Sequence, residues 1–480
     1  MNKKFLFLIF INLLIFTKVY ADTIKYTGIN YDNVYISAKK TFILNPLPIF
    51  YDDKVADKIV FEDTVPKHMK TAGYWISKTN NPDKVILSKK EIKQLNEKIY
   101  KLHLGISKLQ NHKDTTTAKR LKDIFNKRLS WMVNKDFFNE TGDLLFNDYF
   151  VNLYDNIDIP QTDTIEIKYA VTTKYNDVRV LPTQEKVLSK ITSKDIDRLQ
   201  EESLDMGTPV IVLCQTKDKL WTYVLAPTEE GWIKTENLAF TNKKTFNKWV
   251  ENKKVTVVTV PKADVFADKN KTKFLEYLRM GTKLPYVNKK GNDTLCVKIP
   301  VCDNNGNLTI QKAYLNSNEA SIGFLPYTKR NALILAFKHL NSPYGWGGSN
   351  GEQDCSGYLG QIFNCFGILL PETSVQKIKC GEVVKFNKKD DNDIKNASII
   401  KNAVEGISFV YLPGHIMLYI GNENDNSYVI HSIWGLTSYN SQNIKVLNYV
   451  NKVIVSDLNI GDEVAGNSLM DRVTKFNIIK

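Results

Sequence analysis

One stretch of this chain, YGWGGSNGEQDCSG at Tyr344–Gly357, constrains the local fold more than any other. Its glycine-rich first half is a poor helix former, whereas the apolar segment after it, residues 358–366, is helical in character. The sequence therefore predicts that Cys355 lies at or near a helix N-terminus. Unsatisfied N–H groups and the helix dipole favour a negative thiolate at such a position. Because the thiolate is the reactive form of cysteine, the position predicts a nucleophile with an increased thiolate fraction.

Histidine is scarce, with six in the whole chain, and two of the late ones stand in strand-like runs. His415 begins the run HIMLYIG, and His431 ends the run SYVIH after a polar turn at 422–426. If these runs pair as a hairpin centred near residue 423, the two histidines lie directly opposite on one face, with Cβ atoms roughly 5 Å apart. A one-residue slip would move one of them to the other face. The pattern predicts a thiol, an imidazole base and a second imidazole that orients the base.

Four motifs occur in a fixed order: YxWGG, DCSG, GHIMLYIG and a histidine ahead of Trp434-Gly435. In this order they resemble the NlpC/P60 family of cysteine peptidases, over roughly the last 150 residues, a normal domain length. The resemblance implies a papain-like α+β fold with Cys355 as nucleophile, His415 as base and His431 as the orienting residue. It also implies cleavage of peptidoglycan stem peptides at the γ-D-glutamyl bond to a diamino acid, usually diaminopimelate.

The resemblance extends to residues that contact the substrate. Tyr344 and the backbone N–H of Cys355 are expected to stabilise the oxyanion, and Asp354 to bind a substrate amine, although a helix N-cap is its alternative role. Further pocket residues are expected at three positions: Trp346, Ser356 and Ser374. Family members often carry arginine and aspartate just before that serine, where this chain has Glu372-Thr373. The substrate contacts of this motif therefore stay open.

Two other roles for these residues fit the sequence less well. A buried structural role for Cys355 is disfavoured by the polar or small residues Asp354, Ser356 and Gly357 around it. Zinc could use cysteine and histidine, but the usual close ligand pairs, CxxC or HExxH, are absent. We expect neither a metal nor a cofactor.

The first 21 residues have the pattern of a signal peptide. Lys3 and Lys4 precede an apolar run, Phe5 to Phe16, and Val19-Tyr20-Ala21 offers a small-residue cleavage site. The run is shorter than the roughly 20 residues that span a bilayer, so an uncleaved anchor is the alternative and not the expectation. The sequence thus predicts export to the periplasm or to the extracellular cell wall, without an integral membrane segment after cleavage.

The rest of the chain divides into four predicted domains. Residues 22–160 are expected to form a mostly helical scaffolding domain, with helices at Ser88–His103 and Thr116–Met132. Residues 163–245 and 250–326 are expected to form two small β-barrels that resemble bacterial SH3-type domains. Residues 327–480 are the predicted papain-like NlpC/P60 domain. The barrels are suggested by two recurring elements: Met206-Gly207-Thr208 with Met280-Gly281-Thr282, and Gly231-Trp232-Ile233 with Gly323-Phe324-Leu325.

Composition adds two bounds. A formal charge of +13 could attach the protein to an anionic wall or membrane, but we favour a lysine-rich composition spread over solvated faces. Nucleic-acid binding has no motif in its favour and conflicts with export. Six cysteines are too few for a disulfide framework, and whether Cys296 and Cys302 pair stays open.

The expected protein is a monomeric, exported cysteine endopeptidase whose partners are stem peptides or muropeptides. Two alternatives remain. The chain could be a wall-binding module with a weak or regulatory catalytic domain, or its Cys-His-His chemistry could serve an amidase or acyl hydrolase with a substrate outside the wall.

Overall fold

The computed structural model describes residues 65–291, 293–439, 445–461 and 468–480. The predicted signal peptide lies outside the described residues, as do residues 22–64 of the predicted scaffolding domain. In the part of the chain that is described, no helix is both long and apolar enough to cross a membrane.

The helices are Ala72–Lys78 (α1), Lys89–Lys101 (α2), Ala118–Val133 (α3), Asn147–Asp155 (α4), Lys243–Val250 (α5), Lys329–Lys338 (α6), Cys355–Asn364 (α7), Ser374–Lys377 (α8), Asn392–Asn402 (α9) and Leu469–Arg472 (α10). Short 3₁₀ segments lie at Lys67–Lys70, Leu109–Asn111, Thr235–Asn237 and Trp346–Gly351.

The strands before the C-terminal domain are Thr115–Thr117 (β1), Phe137–Phe138 (β2), Leu144–Leu145 (β3), Ile157–Asp158 (β4), Thr164–Glu166 (β5), Lys168–Thr172 (β6), Asn176–Arg179 (β7), Gln200–Leu204 (β8), Pro209–Thr216 (β9), Trp221–Leu225 (β10), Glu230–Lys234 (β11), Leu238–Thr241 (β12), Val255–Val258 (β13), Lys262–Phe266 (β14), Phe274–Arg279 (β15), Lys283–Lys290 (β16), Thr294–Cys302 (β17), Leu308–Asn316 (β18) and Ala320–Ile322 (β19). The C-terminal strands are Glu382–Lys385 (β20), Ser408–Leu412 (β21), His415–Glu423 (β22), Asn426–Tyr439 (β23), Lys445–Asp457 (β24) and Lys475–Ile478 (β25).

The two long helices predicted near the N-terminus are confirmed. Ser88 caps α2 in a reciprocal capping box with Glu91, and the Thr117 side chain caps α3. Their buried faces join the cores of other domains. Helix α2, like α1, contributes to the C-terminal core, whereas Phe125 of α3 packs 4.8 Å from the Tyr223 ring of β10. The described helices of the predicted scaffold therefore brace the domains that follow them.

Two antiparallel sheets follow, which we call the first β-domain (157–241) and the second β-domain (255–322). Their strand orders are β12-β6-β9-β10-β11-β7-β8, with β4 beside β9, and β15-β14-β18-β17-β16-β13-β19. Each encloses its own hydrophobic cluster.

The first recurring sequence element makes the same turn in both β-domains. The Gly207 N–H donates to the Thr172 carbonyl at 2.8 Å, and the Gly281 N–H donates to the Val258 carbonyl at 2.9 Å. A long strand, β9 or β16, follows each turn. The second recurring element is not equivalent. Gly231–Ile233 lies within β11, whereas 323–325 leaves the sheet, and the Leu325 N–H donates to the Cys365 carbonyl beyond it.

The C-terminal domain is an α+β fold around one antiparallel sheet, in the order β20-β25-β21-β22-β23-β24. Helix α7 packs across β22 and β23, with the Phe363 ring 4.9 Å from Phe409 of β21. This packing directs the N-terminus of α7 toward the end of the sheet at which strand β22 begins. The start of the helix and the start of the strand therefore carry the two predicted catalytic groups, Cys355 and His415.

The cysteines form no disulfide. All six lie within the described residues as free thiols. Cys296 and Cys302 stand on one extended strand, β17. Six residues of strand span about 20 Å, well beyond disulfide reach.

Candidate active site

The loop ahead of the nucleophile is seated on the first β-domain. The Tyr175 hydroxyl donates to the Gly348 carbonyl at 2.6 Å, and the Gln200 amide donates to the Gly347 carbonyl at 2.9 Å. Gly348 has a φ of +79°, and a Cβ there would lie 1.9 Å from the Ser203 hydroxyl. Glycine is thus required at this position because the loop lies so close to the first β-domain. The sequence had explained the glycines only by their poor helix propensity.

Asp354 is the N-cap of α7. Its Oδ1 accepts the backbone N–H groups of Ser356 and Gly357 at 2.9 and 2.8 Å. The same oxygen accepts the Ser356 hydroxyl at 2.9 Å, so Ser356 supports the cap. Burial, and then the charge of Glu372, raise the pKa of this carboxyl. The capping role predicted as the alternative for Asp354 is confirmed.

Cys355 is the first residue of α7, as the sequence predicts, but its thiol is not acidic. It is only 9% exposed. Burial, followed by the Asp354 charge, raises the pKa of the thiol to about 12, although hydrogen bonds from the Ile416 and Ser356 amides oppose this. The expectation of an increased thiolate fraction at rest is therefore wrong, because desolvation outweighs the helix terminus. The Ile416 amide places the thiol beside the residue that follows His415.

The two histidines share a face, but they are not directly opposite. Next to the turn the hairpin pairs Gly421 with Tyr428, and further along it pairs Leu418 with Ile430, so the register shifts by one residue between them. Continuing the second register places His431 opposite Met417, diagonal to His415. Diagonal neighbours are still within reach of ring side chains. The predicted centre near residue 423 is wrong, because the turn is at Asn424-Asp425, both with positive φ, and β22 has a bulge between Tyr419 and Gly421.

The imidazoles form a hydrogen-bonded chain that ends on a serine. His415 Nε2 and His431 Nδ1 are 2.7 Å apart, and His431 Nε2 lies 3.1 Å from the Ser456 hydroxyl. Burial, and then Arg472, lower the pKa of His415 to about 3. Burial, and then His415, lower the pKa of His431 well below its ordinary value. Both rings are therefore neutral at pH 7. His415 Nδ1 is the one ring nitrogen of the two histidines that takes no part in these hydrogen bonds.

The remaining predicted residues divide into those near the thiol and those farther away. Tyr344 is half-buried beside Cys355 and Asp354, and desolvation of its hydroxyl, with their charges, raises the pKa of that hydroxyl well above the ordinary value. Trp346 is half-buried under the Arg198 guanidinium, 5.9 Å from the ring centre. Ser374 is the first residue of the short helix α8 and is half-buried.

Three charged residues near the site were not found from the sequence. The carboxyl groups of Glu202 and Glu372 hydrogen-bond to each other, and burial, then Glu372, raise the pKa of Glu202 well above its ordinary value. The Lys377 ammonium donates to the carbonyls of Pro371 and Glu372 at 2.6 and 2.5 Å. Of the three, only Glu372 was marked by the sequence, because it stands where family members often carry arginine.

These three residues line a cavity of about 450 Å³ where α2, both β-domains and α7 meet. It faces the side of α7 that carries Gly357 and Gly360, whereas Cys355 is not among the residues that line it. The cavity is therefore adjacent to the thiol and separated from it by the first turn of the helix.

Comparisons with known proteins agree with this architecture. Residues 341–445 match the NlpC/P60 family, and residues 187–234 match an SH3 domain of the SH3b1 type. A novel NlpC/P60 endopeptidase from Photobacterium damselae subsp. piscicida has a TM-score of 0.74 at 20% identity, over 88% of this chain and 99% of that one. An NlpC/P60 family protein from Bacillus cereus ATCC 10987 has a TM-score of 0.45 at 18% identity, over 64% of this chain and 98% of that one. A search of curated proteins found no match. The chain contains an NlpC/P60 domain and an SH3 domain.

Proposed function

We propose that this NlpC/P60 protein is an exported cysteine endopeptidase that hydrolyses peptidoglycan stem peptides at the γ-D-glutamyl bond to a diamino acid such as diaminopimelate. The observation that carries the proposal is the hydrogen-bonded series His415–His431–Ser456, which leaves Nδ1 of His415 outside it, together with the hydrogen bond from the amide of the next residue, Ile416, to the Cys355 thiol. The NlpC/P60 match to residues 341–445 supports it, and the Photobacterium neighbour is itself an endopeptidase.

In the proposed acylation step His415 Nδ1 takes the Cys355 proton, and the sulfur attacks the γ-carbonyl carbon. The buried site disfavours each charge alone, but the thiolate and the imidazolium form together, and their attraction is strong in a poorly solvated site. His431 accepts the His415 Nε2–H at its own Nδ1, which requires that its proton be on Nε2, facing Ser456. The serine thereby fixes the tautomer that the base needs.

The Cys355 N–H and the Tyr344 hydroxyl would stabilise the oxyanion of the tetrahedral intermediate. Its high pKa keeps Tyr344 protonated at neutral pH, as a donor must be. Losing one such donor typically lowers kcat by about 10²–10³-fold. When the C–N bond breaks, His415 returns its proton to the leaving amine. Water then hydrolyses the thioester, with His415 again as base, and the thiol is restored.

The part of the first β-domain that lines the cavity next to α7 suggests how the substrate is selected. Glu372 of the NlpC/P60 domain hydrogen-bonds to Glu202 of β8 and also acts on the charge of Asp354, so a substrate ammonium bound there would be surrounded by carboxyl groups. This arrangement supports a preference for short stem peptides with a free N-terminal alanine. Trp346 and Ser374 are proposed pocket residues, and the second β-domain is proposed to be a second SH3-type barrel.

Digestion of defined tri-, tetra- and pentapeptide muropeptides tests the function directly. New γ-glutamyl cleavage products, detected by mass spectrometry and absent with Cys355→Ala, are expected. Wall pull-down without any cleavage would instead indicate a binding module. If N-acetylation of the alanine leaves the rate of cleavage unchanged, the proposed ammonium site is wrong while the peptidase assignment stands.

A further inference from the structure

The bulge in the catalytic hairpin decides which face His431 occupies. Without the shift, the pairing next to the turn, Gly421 with Tyr428, would continue to place His431 opposite Leu418. Residues 415 and 418 project to opposite faces of β22, since side chains alternate along a strand. The histidines would then point away from each other. The extra residue in β22 returns both side chains to one face, where His415 Nε2 and His431 Nδ1 are 2.7 Å apart.

The bulge is held by a side chain from the other end of the described chain. Gly421 has a φ of +142°, and a Cβ there would lie 2.9 Å from Cε3 of Trp75. The indole of Trp75 is 1% exposed, and its ring centre is 5.3 Å from that of Tyr428, the cross-strand partner of Gly421. Trp75 therefore covers both residues of the last pair before the register shifts.

The segment that carries Trp75 is itself fixed in place. The indole N–H donates to the Met69 carbonyl at 2.7 Å, and the Thr79 hydroxyl donates to the Trp75 carbonyl at 2.8 Å. Lys78, one turn later, forms an ion pair with Glu423 at the end of β22. Helix α1 thus contacts the end of β22, the bulge and the facing strand of one hairpin.

We propose that Trp75 and Gly421 are positioning residues that hold the bulge and thereby set the His415–His431 hydrogen bond. Their importance for turnover rests on the proposed peptidase function, whereas their effect on the histidine pair does not. The helical segment before the β-domains accordingly acts on the catalytic base through the strand register.

Trp75→Ala tests this inference, with a second variant that removes a buried side chain from the same core as the control. Leu95→Ala is the control, because Leu95 is buried at 4% exposure in the same core but lies on α2, away from the hairpin. Trp75→Ala is expected to lower kcat by about 10²-fold with KM little changed, as misplacement of a catalytic group by about 1 Å does. Leu95→Ala should lower the urea midpoint while leaving kcat unchanged.

A second readout needs no substrate. NMR of ¹⁵N-histidine-labelled protein should show a hydrogen-bonded ring N–H between His415 and His431 in the unmodified protein and in Leu95→Ala, but not in Trp75→Ala. Gly421→Ala should also lose this ring N–H signal, because the added methyl group would push against the Trp75 indole. If Trp75→Ala does not fold, Trp75→Phe, which keeps a smaller apolar ring, should weaken the signal.

The outcomes separate the two proposals. If no muropeptide is cleaved but the ring N–H depends on Trp75, the positioning role holds and the peptidase assignment fails. If muropeptides are cleaved while kcat and the ring N–H survive both Trp75→Ala and Gly421→Ala, or Trp75→Phe in place of an unfolded variant, the positioning role is overturned.

Discussion

At the scale of single residues, the site combines groups that burial keeps neutral. The same desolvation that raises the pKa of the Cys355 thiol to about 12 lowers the pKa of His415 to about 3. In the proposed mechanism Cys355 and His415 therefore rest as thiol and imidazole, and charge develops only when the proton moves between them. A hydrogen-bond chain that fixes the acceptor nitrogen matters more in such a site than a resting ion pair would.

The pH dependence follows from this protonation state. The proposed mechanism requires neutral His415, and the lowered pKa of this residue keeps its ring neutral as the pH falls below the ordinary histidine range. The acid limb of kcat/KM should therefore lie below pH 5, measured with a defined stem peptide and with circular dichroism to detect unfolding. An acid limb at pH 6 to 7 would contradict the assignment.

Arg472 offers a way to move that limb. Its positive charge contributes to the low pKa of His415, so Arg472→Gln should raise that pKa and shift the acid limb to higher pH. Lys475→Gln is the matched control, since that ammonium lies over the Tyr411 ring at 5.2 Å and is not among the groups that act on His415. Equal shifts in both variants would show a nonspecific charge effect.

In the proposed mechanism Ser456 sets the tautomer of His431 through the hydrogen bond to its Nε2. Ser456→Ala should lower kcat by roughly 3–10-fold, the value of one hydrogen bond worth about 0.5–1.5 kcal/mol. Ser456→Thr keeps the hydroxyl and should recover most of the rate. Rates that follow side-chain size instead of the hydroxyl would argue against a role in the tautomer.

At the scale of elements, Asp354 caps the N-terminus of α7 and acts on the thiol of Cys355, the proposed nucleophile. Asn is as good an N-cap as Asp, so Asp354→Asn should keep α7 stable, whereas Asp354→Ala should cost about 1 kcal/mol. Because the Asp354 charge raises the pKa of Cys355, both variants should lower that pKa. The pH profile of Cys355 alkylation, read by mass spectrometry, measures the pKa of the thiol. Urea unfolding measures the stability that the N-cap contributes. An unchanged alkylation profile in both variants would contradict the electrostatic argument.

Local patterns predicted several elements correctly. The start of α7 at Cys355, the Asp354 cap and the helices near residues 89 and 118 all follow from neighbouring residues. The hairpin was placed correctly on one face although its register was not, because the predicted and observed registers differ by two residues and keep the same parity. The bulge itself could not be predicted, since it depends on Trp75, far away in sequence. Ser456 and Glu202 likewise reach the site from strands whose packing no local pattern reveals.

At the scale of the whole molecule, the β-domains and the NlpC/P60 domain are joined at buried polar contacts. Arg279 of the second β-domain forms a bidentate ion pair with Asp205 of the first, at 2.9 and 3.0 Å. It also donates to the Ser203 hydroxyl at 2.6 Å, and Gly348 of the loop ahead of Cys355 packs against that hydroxyl. One guanidinium thus connects both β-domains at the point where they support the loop ahead of Cys355.

Removing that guanidinium should affect the whole molecule. Arg279→Met leaves a largely buried Asp205 carboxylate unpaired, which typically costs about 3–5 kcal/mol, and it should lower both the urea midpoint and kcat/KM. The double variant Arg279→Met/Asp205→Asn should regain part of the midpoint, because no unpaired charge remains. Arg330→Met is the control, since its ion pair with Asp83 is exposed and exposed pairs contribute little. If Arg279→Met and Arg330→Met have the same midpoint, the domains are held together mainly by their apolar contacts, and the buried ion pair contributes only orientation.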